Sequence, residues 1–179
     1  KKIKELNLVK LTWGNVSPCD HARDLVYIKP SGAKLSELKE SDISVVDLKT
    51  GGLISGLKQS VDTNIHLEIY RNYDTVKSIV HTHSKFATSW AQAETPIPCL
   101  GTTHADYSQK NIQVTNPLKK NQIIKNYEKN IGTSIIDCLK KSKIKPLECP
   151  GILVANHAPF SFGINANQAF KNAEIFGAD

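Results

Sequence analysis

The residues best suited to chemistry are histidines. Two of them stand in His81-Thr82-His83, directly behind the apolar pair Ile79-Val80. On a strand, side chains two apart point to the same face, roughly 6.5–7 Å apart along the backbone. Imidazoles so placed can converge on one ion, with zinc–nitrogen bonds of about 2.0–2.1 Å. An isolated His-x-His fits a pair of hydrogen-bonded sheet histidines equally well. The context favours ligation, because Ile79 and Val80 make the strand internal and a buried neutral pair there needs a reason. His157 follows a second apolar run, Pro150-Gly-Ile-Leu-Val-Ala155, at the end of an expected strand. Three neutral imidazoles with an open fourth position are the pattern of catalytic rather than structural zinc. Asp62 offers either a fourth ligand or a plain helix N-cap, and the cap is the simpler reading of that residue alone. His66 shares its helix face and reads as a supporting or structural histidine. His21 lies in the polar stretch Cys19-Asp-His-Ala-Arg23 and reads as solvated.

Three small-residue turns accompany the histidines: Gly14-Asn15, Ser31-Gly32 and Ser60-Val61. Each sets backbone N–H or hydroxyl donors in a loop, as an anion cradle needs. Lys29 precedes one of them and supplies positive charge. Taken singly, each is ordinary turn chemistry. The stretch Gly101-Thr-Thr-His-Ala-Asp-Tyr107 reads as a loop with hydroxyls, an imidazole and a carboxylate. Asp106 there is suited to moving a proton beside a bound substrate, or is a capping carboxylate.

The elements that must position these residues follow from periodicity. Leu25–Lys29 is β-branched and aromatic and ends at Pro30-Ser-Gly32, so it reads as a strand running into a turn. Ile43–Leu48 is another strand, and Thr50-Gly-Gly52 turns it back into Leu53-Ile54. In Asp62–Tyr73 the apolar period changes to i+4 through Ile65, Ile69 and Tyr73, the helix pattern. Lys77–His83 reads as a buried strand, and Ser84 as the cap of a helix over 85–93. Ile123, Tyr127, Ile131, Ile135 and Leu139 predict one long helix from Leu118 to Lys141, despite Gly132. Pro150–Ala155 is a strand and Asn165–Phe176 a closing helix. Strands mixed with helices and hairpins predict an α/β domain of layers around a mixed or mainly antiparallel sheet.

The composition bounds the rest. The chain has 179 residues, 40% of them hydrophobic, which suits one domain over 1–179 with a real core. No repeat or linker divides it. No apolar run reaches membrane-spanning length and no signal peptide opens the chain, so the expectation is a soluble, cytoplasmic protein. There is no methionine, so the expectation is that the native start is missing. The net charge is +6, but only Arg23 and Arg71 are arginine. Base readout favours arginine, so nucleic acid is not expected. The lysines clustered between Lys110 and Lys145 read as a solvated helix face that helps to attract anionic substrates. Cys19, Cys99, Cys138 and Cys149 have irregular spacing and are expected to be free thiols.

Taken together, several stretches resemble the class II aldolase/adducin-like family, and within it the L-ribulose-5-phosphate 4-epimerase branch. They are Leu11-Thr-Trp-Gly-Asn-Val-Ser17, Ile28-Lys-Pro-Ser-Gly32, Ser60-Val-Asp-Thr63, Ile79-Val-His-Thr-His-Ser84, Trp90-Ala-Gln-Ala93, Gly101-Thr-Thr-His-Ala-Asp-Tyr107 and Pro150-Gly-Ile-Leu-Val154 through His157. They run in family order along almost the whole chain. The resemblance implies a three-layer αβα domain with helices flanking the sheet. It implies zinc ligands at His81, His83 and His157, with Asp62 as a further ligand. It implies that Gly14, Asn15, Ser31, Gly32, Ser60 and Val61 hold the substrate and its phosphate. Lys29 and Glu128 would lie near the substrate, and Asp106 would donate and accept protons. Homotetramers with sites at subunit interfaces are implied too.

The implied reaction interconverts L-ribulose 5-phosphate and D-xylulose 5-phosphate by breaking and remaking the C3–C4 bond. Two departures stand out. The second serine of the family's phosphate turn is Val61 here, which removes a hydroxyl donor. The family's acid–base tyrosine and a neighbouring histidine fall beyond Asp179, so the expectation is a missing C-terminal tail. Alternatives are a class II aldolase acting on fuculose or rhamnulose phosphate, or a non-catalytic metal-binding member. The aldolase branch carries Glu near the metal where this chain has Asp62.

Overall fold

A computed structural model describes residues 14–34 and 37–178. The resembling residues Leu11–Trp13 lie outside the described range. Strands β1 (Asn15–Asp20), β2 (Leu25–Ile28), β3 (Ser44–Asp47) and β4 (Leu53–Ser55) come first. Helix α1 (Thr63–Asn72), strand β5 (Ser78–His81) and helix α2 (Lys85–Gln92) follow. Next come α3 (Thr102–Tyr107), α4 (Lys120–Ile124) and α5 (Tyr127–Lys141). The hairpin β6 (Gly151–Leu153) and β7 (Pro159–Gly163) then leads into α6 (Ala166–Ala178). Among the described residues the strands form one seven-stranded sheet, ordered β4-β3-β2-β1-β5-β7-β6. Every strand pairing in it is antiparallel, so the sheet is not mixed.

The layers follow from the strand alternation. Val16 and Val80 are register partners on β1 and β5, and they pack with Ala169, Phe170 and Ala173 of α6. Their neighbours Ser17 and Ile79 point the other way, where Ser17 meets His66 and Tyr70 of α1. Helix α5 lies over α1. A Cβ built at Gly132 would come 2.6 Å from the Glu68 Cβ, so the close α1–α5 crossing requires glycine there. The result is the three-layer αβα arrangement. Ile65, Ile69, Ile131 and Ile135 are fully buried in the main core, each contributing about 1.5–3 kcal/mol.

The structure departs from the periodicity in four places. The helix expected over Leu118–Lys141 is two helices, because Asn126 adopts φ 57° between them. Asparagine tolerates that left-handed conformation, and its neighbours are tied down: the Asn130 amide donates to the carbonyls of Gln122 and Lys125. Ile123 is consequently 52% exposed rather than part of the core stripe. The expected loop Gly101–Tyr107 contains the short helix α3. Strands β1 and β7 carry no strong alternation of β-formers and were not expected as strands. Finally, β5 ends at His81, so His83 lies beyond the strand.

All of the cysteines are free. No helix among the described residues is long and apolar enough to cross a membrane. His21 is not simply solvated: its ring donates to the Val76 carbonyl at 3.0 Å and meets Tyr70 edge-on.

Candidate metal centre and active site

His81 ends β5 at the centre of the sheet and is 1% exposed. Its Nδ1 lies 2.9 Å from the carbonyl oxygen of Pro159 on β7. A carbonyl only accepts, so Nδ1 carries the proton and Nε2 is left with a bare lone pair. Phe160, paired with His81 in the sheet, stacks on the imidazole with ring centroids 4.2 Å apart. The ring is thereby fixed in both plane and tautomer, as ligating histidines commonly are.

His83 reaches the same point from the segment between β5 and α2. Its Nε2 lies 3.1 Å from that of His81. His157 arrives from the β6–β7 turn, its Nε2 3.2 Å from that of His81. Asn156 bends that turn with φ 61°, and α2 holds it, since the Asn156 N–H donates to the Ala91 carbonyl. The candidate ligand atoms of the three residues all lie within 4.8 Å of one another. Tetrahedral ligation at zinc–nitrogen distances of about 2.05 Å would separate nitrogens by about 3.3 Å. The two pairs that include His81 are within a few tenths of an ångström of that.

Protonation favours ligation too. Burial first, then the nearness of His157 and His83, holds His81 well below the usual histidine range. Burial likewise lowers His83 and His157. All of them are therefore neutral near pH 7, and their lone pairs are available. Three neutral imidazoles, with that of His81 fixed by the Pro159 carbonyl, fit a borderline divalent cation such as zinc.

The triad forms one side of a cavity of about 530 Å³. The cavity also takes in Gly14 and Asn15 at the start of β1, and Lys29, Ser31 and Gly32 after β2. Ser60, Val61 and Asp62, leading into α1, complete it together with Pro30. These residues come from turns far apart in sequence, and the sheet order brings them together. Val61 is 64% exposed and offers only its backbone to an anion. The Ser31 N–H already donates to the Lys58 carbonyl, so Ser31 can offer only its hydroxyl to an anion. Positive φ at Gly14 and Gly32 bends both turns toward the cavity.

Asp62 does not act as a helix cap: it sits at the N-cap position, but its side chain makes no capping bond. Its carboxylate accepts instead from the Asn15 amide at 2.6 Å. Burial pushes Asp62 above the usual carboxylate range, against the lowering pull of Asn15, His83 and Lys29. Lys29, 5% exposed, is lowered by burial, with Asp62 opposing. In both residues desolvation outweighs attraction, so the cavity is a low-dielectric place. The triad's ligand cluster consists of histidines alone, with Asp62 beside it.

Two expected site residues are not brought to the cavity. Glu128 stands in the first turn of α5, close enough for its charge to raise Asp62, but it does not line the cavity. Asp106 is exposed on α3 and lies outside the cavity of its own chain.

Of the other supporting residues, the sequence singled out only His66. Pro159 and Phe160 hold His81, and no local signal marked them, because their role comes from the pairing of β7 with β5. Behind Asn15 lies a buried network. The Ser17 hydroxyl is 2.7 Å from His66 Nδ1 and 2.8 Å from the Tyr70 hydroxyl. The Ser17 carbonyl accepts from Tyr70 at 2.6 Å and from Ser78 at 2.9 Å. Burial pushes His66 down to about 3.

The profile of the class II aldolase and adducin N-terminal domain matches residues 1–177. A solved L-fuculose 1-phosphate aldolase is 28% identical, with TM-score 0.79 over 97% of this chain and 76% of that one. YgbL from Klebsiella pneumoniae is 24% identical, with TM-score 0.74 over 99% and 80%. An L-fuculose-1-phosphate aldolase from Thermus thermophilus is 20% identical, with TM-score 0.72 over 97% and 80%. The latter two likenesses speak to the fold alone. The chain belongs to the class II aldolase and adducin N-terminal domain family.

Proposed function

We propose that the protein is a zinc-dependent epimerase that interconverts L-ribulose 5-phosphate and D-xylulose 5-phosphate. The observation that carries this reading is the convergence of neutral His81, His83 and His157 in the cavity that also holds Lys29 and the glycine–serine turns. His81, His83 and His157 would hold the ion, with Asp62 as a further ligand or as a carboxylate beside it. A bound zinc ion would supply Lewis acidity to the sugar's carbonyl group.

The chain's own residues do the rest. Lys29 and the hydroxyls of Ser31 and Ser60 receive the phosphate, with the backbones of Gly32 and Val61. Gly14 lets the backbone approach the substrate, and the Asn15 amide orders Asp62. The C4 hydroxyl gives up its proton, the C3–C4 bond breaks, and the electron pair remains on the C2–C3 enediolate. Glycolaldehyde phosphate then turns over, C3 attacks its opposite face, and the proton returns to the C4 oxygen. Asp106 is the proton carrier in this scheme. Because it does not line the cavity of its own chain, it would serve the site of a second copy in a homotetramer. Glu128 acts at a distance by raising Asp62. The cytoplasm is the setting this reading implies, with neither nucleic acid nor membrane as a partner.

Zinc-loaded protein given L-ribulose 5-phosphate tests the reading. Formation of D-xylulose 5-phosphate supports it. A second reading is an aldolase of ketose 1-phosphates, favoured by the 28% identity to an L-fuculose 1-phosphate aldolase. Release of dihydroxyacetone phosphate from fuculose or rhamnulose 1-phosphate, with no xylulose 5-phosphate from ribulose 5-phosphate, would select it.

A further inference from the structure

Two rungs join β1 to α1. At the cavity, the Asn15 amide meets the Asp62 carboxylate at 2.6 Å. One strand step and one helical turn deeper, Ser17 meets His66 at 2.7 Å and Tyr70 at 2.8 Å. Asn15 and Ser17 share a strand face, and Asp62, His66 and Tyr70 recur at i+4 on one helix face. The deeper rung therefore sets the height and rotation of α1 against β1.

Its protons can be assigned by elimination. The Ser17 carbonyl only accepts, so the Tyr70 O–H points to it. The Tyr70 oxygen must then accept the Ser17 O–H. The Ser17 Oγ is left needing a donor, and His66 Nδ1 is the atom that faces it. We infer that His66 is a positioning residue: it carries its proton on Nδ1 and, by donating to Ser17, holds Asn15 and Asp62 in contact at the cavity. His66 Nε2 is buried with no partner. The opposite tautomer would strand an N–H there and leave Ser17 without a donor, so it satisfies neither end. His66 touches no part of the cavity itself.

The role rests on the cavity being the active site, but two of its tests do not. Nitrogen NMR of histidine-labelled full chain reads the tautomer. A proton-bearing Nδ1 and a bare Nε2 at His66 are expected, and a proton on Nε2 overturns the inference. The side-chain amide signal of Asn15 reads the upper rung. It is expected to shift in His66→Leu, which keeps bulk and loses the donor. It should return in His66→Asn, whose amide places an N–H where Nδ1 stood. With ribulose 5-phosphate, His66→Leu should lose roughly 10–100-fold in kcat with KM within about twofold, as a misplaced group does. His66→Asn should recover most of that. Equal impairment of the two variants, or an unmoved Asn15 signal in His66→Leu, overturns the inference. If the wild type turns over no sugar phosphate, the proposed function fails while the NMR measurements still decide this role.

Discussion

The Nε2 atoms of His81 and His157 lie 3.2 Å apart although 76 residues separate them in the chain. The β5–β7 pairing produces this nearness. It sets His81 opposite Phe160 and folds the β6–β7 turn back over the end of β5. Removing one member of the triad should therefore abolish metal binding without unfolding the sheet. His83, beyond the strand and half-buried, is the best member to remove. His83→Ala should lower zinc affinity by at least about 100-fold and abolish turnover, while its melting profile without metal stays close to wild type. Titration with a zinc indicator checks this.

Asp62 should show a trade between function and stability. Burial raises it, so the folded state disfavours its charge near neutral pH. Asp62→Asn keeps an acceptor for the Asn15 amide and removes the charge. The variant should be about 0.5–1 kcal/mol more stable near pH 7 and lose at least about 100-fold in kcat. Chemical denaturation and steady-state kinetics on the same preparation measure both.

Much of this cavity was legible in the sequence because its residues announce themselves by type. Histidines two apart, and glycine or serine beside Asn15, Lys29 or Asp62, are local signals, and the resemblance orders them. What was not legible depends on pairing. His81 and His83 were expected on one strand face, yet the strand stops at His81 and His83 arrives from the following segment. The Pro159 carbonyl and the Phe160 ring matter only because β7 lies beside β5. Asn126 broke a stripe that periodicity alone carried through, because helical spacing says nothing about a single left-handed residue. Asp106 and Glu128 came from the resemblance, and one chain by itself does not bring them into the cavity.

Lys29 should govern binding rather than chemistry. It is buried in the cavity wall next to the Ser31–Gly32 turn. Lys29→Met keeps the length and removes the charge. KM for the sugar phosphate should rise about tenfold or more with kcat within about threefold, the signature of binding equal in ground and transition states. A fall in kcat with unchanged KM would instead place Lys29 in the bond-breaking step.

Acid should weaken the fold through His66. Its folded value is about 3, against about 6.5 in an unfolded chain. Between those values the unfolded chain binds more protons, so stability rises with pH. The contribution is fully present above about pH 6.5 and is lost as pH falls toward about 3. From about pH 7 to about pH 4.5, wild type should lose about 2–3 kcal/mol more than His66→Asn. Urea denaturation of both proteins at the two pH values reads the difference.

The most direct measurement strips the protein with a chelator, returns zinc stepwise, and follows conversion of L-ribulose 5-phosphate. Turnover should vanish on stripping and return in proportion to zinc, reaching full value at about one ion per chain. It should not return in His157→Ala. Undiminished turnover by the stripped protein, or full recovery in that variant, would contradict a reaction centred on these three imidazoles.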